Sequence, residues 1–122
     1  MAEAPVKDAL LVAIGGGAGA ALRWWLFATW PGPWSILIIN VVGSALLAWM
    51  SHPGWALAPE VRLLVGTGLL GGFTTYSTFN LDVLTAVRLG AWGRAAAVLG
   101  LTVVGCLVGG SAGWWLADRA TR

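Results

Sequence analysis

Uncharged apolar runs of membrane-crossing length constrain this chain more than any motif does. Leu10 to Leu22 contains no charged residue, and comparable apolar stretches recur three more times before Leu116. A hydrocarbon core of about 30 Å takes about 20 apolar residues per helix, so a chain of 122 residues holds at most four or five spans. With 58% hydrophobic and only 10% charged residues, the chain lies far from an ordinary soluble domain, about a quarter of which is charged. The expected class is therefore an all-α membrane protein of four transmembrane helices, with no room for a soluble domain within these residues.

Proline and glycine set the boundaries. Span one runs from about Asp8 to Ala28, because Trp30-Pro31-Gly32-Pro33 forbids continued helix. The residues before it carry Glu3, Lys7 and Asp8 rather than a basic leader, so it is read as a retained helix and not a signal peptide. Span two covers about Trp34 to Met50 and ends at Ser51-His52-Pro53-Gly54. Span three starts near Pro59-Glu60 and reaches about Arg88, and span four covers about Arg94 to Leu116. At 1.5 Å per residue, a third span of roughly 28 residues overshoots the hydrocarbon by about 10 Å, so a break within it is expected. The nine tryptophans fall mostly near these ends, where the interface favours amphipathic rings.

Small residues one turn apart mark packing faces: Gly15 with Gly19 in span one, and Gly105, Gly109 and Gly113 in span four. Gly15-Gly16-Gly17-Ala18-Gly19 is no phosphate loop, since no Lys-Ser/Thr follows it and no strand precedes it. The single cysteine, Cys106, has no partner for a disulfide or a cysteine metal site and reads as a buried, inert thiol. His52 reads as a solvated loop histidine. Seven scattered basic residues make no patch for nucleic acid. Lys7, Arg62, Arg119 and Arg122 lie on the face holding both termini, against Arg88 and Arg94, with Arg23 if it snorkels, on the other. So flat a balance barely commits the chain to one orientation, and two oppositely inserted copies would pair about an axis in the membrane plane.

Polar side chains inside a span mark helix contacts or a solute path. The densest run is Gly71-Gly72-Phe73-Thr74-Thr75-Tyr76-Ser77-Thr78-Phe79-Asn80, where the break in span three belongs. Carbonyls freed there are stable at depth only when buried in protein or bound to water or a cation, so a small cation site fits. Tyr76 and Phe79 share one helix face. In span two, Asn40 and Ser44 stand one turn apart. The Asn40 amide either donates to an anion or makes an interhelical hydrogen bond worth about 0.6 kcal/mol. Arg23 is either a snorkelling anchor or a guanidinium facing a polar vestibule. Asp82 is the one candidate proton-coupling carboxylate, and no catalytic constellation is present.

These residues resemble the Fluc (CrcB-type) fluoride channel family over nearly the whole chain. Gly71-Gly72-Phe73-Thr74-Thr75-Tyr76-Ser77-Thr78-Phe79 is similar to that family's long signature. Gly15 to Trp24 is similar to its glycine-rich first helix with an arginine, and Asn40-Val41-Val42-Gly43-Ser44 to its second-helix asparagine segment. The resemblance implies a multi-pass protein of the bacterial cell membrane, built as an antiparallel, dual-topology dimer that passively exports fluoride and holds one structural sodium ion. It implies that the backbone carbonyls of Gly71 and Thr74 coordinate sodium, that Phe79 and Tyr76 face the anion, and that Asn40, Ser77 and Thr78 line its path. Arg23 corresponds to the family's vestibule arginine, and Ser44 belongs with the asparagine segment. Tyr76 stands where the family has phenylalanine, and Ile36 where it has threonine. The partner is a second copy or a paralogous subunit. The alternative from another class is a small proton-coupled multidrug exporter, whose usual first-helix carboxylate is missing from span one.

Overall fold

The computed structural model describes residues 3–122, and among them all regular structure is helical. Helix α1 (Glu3–Thr29) ends where Pro31 and Pro33 remove backbone donors and Gly32 turns the chain at φ 127°, in the region that favours glycine. Helix α2 (Pro33–Ser51) begins on a proline, whose missing N–H is no loss in the first turn. A loop leads to α3 (59–73), which is α-helical over Pro59–Val61, π-helical over Arg62–Leu70 and α-helical again over Gly71–Phe73. Thr74 and Thr75 are extended, and α4 (Tyr76–Arg88) follows. Gly90, at φ 72°, closes α4: its amide donates to the Val87 carbonyl at 3.0 Å, and the Ala91 amide to Ala86 at 2.8 Å. This is the paired end that a left-handed glycine makes possible. Helix α5 (Trp92–Ala120) completes the fold.

Three helices are long and apolar enough to cross a membrane: Ala4–Thr29 of α1, Pro33–Ser51 and Trp92–Ala120. The third span is broken, as its length predicts, into two pieces, α3 and α4, neither of which is among those three helices. Other boundaries move modestly. Helix α1 starts at Glu3 rather than near Asp8, and α5 runs to Ala120 rather than Leu116.

The interior is small. Ile36, Ile39, Phe73, Phe79 and Val98 form its buried cluster, while Leu10, Leu107, Val108 and many like them face outward. So much outward apolar surface is what a lipid-facing or subunit-facing protein presents. The glycine faces pack as their spacing suggested. A Cβ on Gly15 or Gly19 would strike the carbonyl oxygen of Leu64 or Leu69, and one on Gly72 the carbonyl of Gly16, so α1 and α3 touch backbone to backbone. Gly105 and Gly109 receive Val41, and Gly113 lies against the Ala45 carbonyl, joining α5 to α2.

His52 differs from its expected setting as a solvated loop residue. It is buried: its Nδ1 accepts from the Gly54 amide at 3.1 Å and its ring meets Trp114 edge-on at 4.8 Å. Asp118 lies 3.7 Å from Nε2. The loop after α2 is thereby tied to the end of α5, a tertiary contact that a local sequence window does not reveal.

Candidate functional site

The break in α3–α4 is stabilised by three side chains. Thr75 is the N-cap of α4, its Oγ1 accepting from the Thr78 amide at 3.2 Å. Asn40, from α2, meets the extended Thr75 with both ends of its carboxamide. Oδ1 accepts from the Thr75 amide at 2.8 Å and Nδ2 donates to the Thr75 carbonyl at 2.9 Å. The side chain thus acts as a substitute backbone partner, which buried peptide groups require. Arg23 supplies the third support: its Nε donates to the Gly72 carbonyl at 3.2 Å, placing a cation at the C-terminal end of α3 where the helix dipole favours it.

These contacts change which carbonyls remain available. An unbroken helix would bond the Thr75 amide to the Gly71 carbonyl and the Thr78 amide to the Thr74 carbonyl. Here the first amide is taken by Asn40 and the second by Thr75 Oγ1, so both carbonyls lose their ladder partners. The Gly71 residue is exposed on the single chain.

A groove of about 320 Å³ lies beside the break. Asn40, Ser44, Thr74, Thr75, Tyr76 and Phe79 line it. Gly43 makes the approach possible, because a Cβ there would fall on the Thr74 methyl. Phe79 is 4% exposed and Tyr76 77%, so one ring belongs to the core and the other faces outward. Their rings meet edge to face, centroids 5.5 Å apart. Ring edges carry partial positive charge.

Several expected site residues stand off the groove lining. Ser77 and Thr78 reach it through Thr75, whose Oγ1 lies 3.3 Å from Ser77 Oγ and 3.2 Å from Thr78 Oγ1. Arg23 and Gly71 are not among the lining residues, and Ile36 is buried in the core. Asp82 is elsewhere, in a cavity of about 80 Å³ with Thr85 and Arg94.

Thr102 and Cys106 of α5, one turn apart, complete the groove wall, and sequence reasoning missed both roles. Cys106 is partly rather than fully buried, and Thr102 Oγ1 is buried with no hydrogen-bond partner among the described residues. Their only mark in the sequence is a hydroxyl and a thiol four residues apart in an apolar run.

Residues 10–114, most of the chain and all of the groove, match the family model described as CrcB-like protein, Camphor Resistance (CrcB). The chain belongs to the CrcB-like family. It is similar to the "Fluoride-specific ion channel FluC" of Anaeromyxobacter sp. (strain K), 45% identical over 81% of this chain and 86% of that relative. A relative from Nocardia farcinica (strain IFM 10152), "Fluoride-specific ion channel FluC 2", is 37% identical over 97% of this chain and 94% of its own length. "Fluoride-specific ion channel FluC 1" of Rhodococcus jostii (strain RHA1) is 46% identical, over 64% of this chain and 62% of that relative. In this CrcB-like chain, every residue of the groove falls within the matched region.

Proposed function

We propose that the chain is a fluoride-selective channel of the cell membrane, a passive exporter and not an enzyme, working as a dimer of oppositely inserted copies. The observation that carries this reading is the braced break at Thr74–Thr75. It sets hydroxyls, a carboxamide and aromatic ring edges around one groove while leaving the Gly71 and Thr74 carbonyls without helical partners. The names of the relatives supply the ion. The two half-helices together make the fourth span, and the even spread of basic residues supports pairing of inverted copies.

Fluoride is small and strongly hydrated, so its dehydration has to be offset by many close donors. A fixed buried cation would hold the ion too long, whereas neutral donors let it enter and leave. Asn40 Nδ2 keeps one N–H beyond its bond to Thr75, and the Thr102 hydroxyl has no partner among the described residues. A negative-inside potential drives the anion outward by about 2.3 kcal/mol per 100 mV. Carbonyl oxygens are the ligands sodium takes, and the four from Gly71 and Thr74 of two copies would hold it. Bound there, it would supply a positive charge that keeps the break open. Asp82, apart from the groove, has no place in this path, which sets the proton-coupled exporter aside.

Fluoride efflux from liposomes containing the purified chain tests the reading, with chloride as the control anion. Chloride passing as fast as fluoride would defeat it. Thr102→Val is the informative variant, because removing an unpartnered buried hydroxyl leaves stability equal or higher. Its fluoride flux is expected to fall about tenfold, the effect of about 1.4 kcal/mol on a barrier. Flux unchanged in Thr102→Val would take that hydroxyl out of the path. Liposomes prepared with an organic cation in place of sodium are expected to lose flux as well, and equal flux would remove sodium from the proposal.

A further inference from the structure

A second groove, of about 350 Å³, lies between α2 and α5 and has almost no polar lining. Ala45, Trp49, Gly109, Ala112, Gly113 and Leu116 form it. It opens on the other side of the α2–α5 contact from the candidate ion path. At about 100° per residue, Trp49 stands about half a turn around α2 from Asn40. Gly109 and Gly113, without side chains, let α5 close on Val41 and Ala45 of α2 and form the floor of the groove.

Ala112, Leu116 and Arg119 follow one stripe of α5, at i, i+4 and i+7, so the groove leads to the Arg119 guanidinium. Arg119 lies over the Trp115 ring, 4.0 Å from its centroid. Neighbouring Arg122 spends its charge on Asp118 at 2.6 Å, but Arg119 has no carboxylate partner among the described residues. The rings of Trp49 and Trp55 meet at a tilt, centroids 4.6 Å apart, and Arg62 donates to the Trp55 carbonyl at 3.0 Å, which adds an aromatic and basic rim at the end of α2. Such rims sit at headgroup level. An oriented guanidinium with free N–H groups matches the planar geometry of a phosphate.

We propose that this groove is a specific site for an anionic phospholipid. One acyl chain lies between α2 and α5, and the headgroup phosphate sits on Arg119. The complementarity of charge at one end and apolar wall at the other favours a lipid over a second protein copy, for which Arg119 offers no acidic partner on this chain's own groove. The inference needs the membrane setting alone and stands or falls apart from the identity of the ion.

Native mass spectrometry of the full chain in detergent reads the site directly, with phosphatidylglycerol, phosphatidylcholine and inorganic phosphate as probes. One phosphatidylglycerol per chain is expected to survive at concentrations that leave phosphatidylcholine unbound. Arg119→Gln is expected to weaken the phosphatidylglycerol adduct about tenfold without changing the melting temperature. Ala112→Leu, at an exposed position, is expected to weaken adducts of both lipids by filling the groove. Equal retention of the two lipids with no effect of Arg119→Gln would overturn the proposal. So would displacement by inorganic phosphate as effective as by lipid, or a spontaneous disulfide between copies of Ala112→Cys, which would put a second subunit on the groove.

Discussion

Asn40→Ala is expected to abolish fluoride flux through reconstituted protein, by about a hundredfold or more, and to lower stability by about 1–3 kcal/mol. Asn40 is the partner of the Thr75 amide, and removing it strands that donor in a part-buried position, whereas the Thr75 carbonyl, at the N-cap of α4, keeps its place in the helical ladder. One buried unpaired group costs about 1–3 kcal/mol, which sets the range. A change of about 2.7 kcal/mol in the permeation barrier is already a hundredfold in rate. Asn40→Asp separates bracing from conduction. Its carboxylate still accepts from the Thr75 amide, yet it repels the Thr75 carbonyl and places a negative charge in the anion's groove. That variant is expected to fold with intermediate stability and to conduct no better than Asn40→Ala. Flux and unfolding in detergent are the measurements, and full flux in Asn40→Ala would remove the braced break from the mechanism.

Gly19→Val is expected to prevent assembly of the fold, cutting the yield of folded protein about tenfold or more. Any Cβ at Gly19 meets the Leu69 carbonyl oxygen and comes within 2.8 Å of the Phe73 amide. Both are backbone atoms, so no rotamer change relieves the clash and α3 itself must move. Overpacking by side chains typically costs about 1–3 kcal/mol, and displacing a helix costs more. The same helix contains its control. A Cβ at Gly17 meets nothing within 4 Å, so Gly17→Ala is expected to stabilise by up to about 1 kcal/mol through helix propensity. Size-exclusion profiles and thermal unfolding distinguish the two. Normal folding of Gly19→Val would mean that α1 and α3 do not meet in this way.

Much of the architecture was legible because each signal is local. Pro31, Gly32 and Pro33 end one helix and start the next whatever surrounds them, since proline lacks a donor and Gly32 adopts a φ that side chains disfavour. The length of the third apolar region against the bilayer demanded a break, and the break falls inside the expected segment, at Thr74 and Thr75. The glycine spacings located real helix contacts, backbone to backbone at Gly15, Gly19 and Gly113, because a residue without Cβ on every fourth position admits a close neighbour.

The site was less legible, because its chemistry depends on which helices meet. Asn40 looked like either a contact or a donor. Its place opposite Thr75 makes it the brace, and no window of α2 contains the information that Thr75 is extended. Arg23 was open between two roles at the membrane edge, whereas its partner is the Gly72 carbonyl, brought near only by the close crossing of α1 and α3. His52 carried no local sign of Gly54, Trp114 and Asp118 closing around it, nor Thr102 and Cys106 of the groove they wall.

By itself the sequence determined that the chain is a helical membrane protein, where its helices turn, and which apolar region cannot continue as one rod. Those outcomes follow from backbone geometry and from the thickness of hydrocarbon, which act on consecutive residues. Only the tertiary structure decided which polar groups pair across helices and which carbonyls are left open, because in a low-dielectric interior a hydrogen bond is set by the distance between elements and not by their order in the chain.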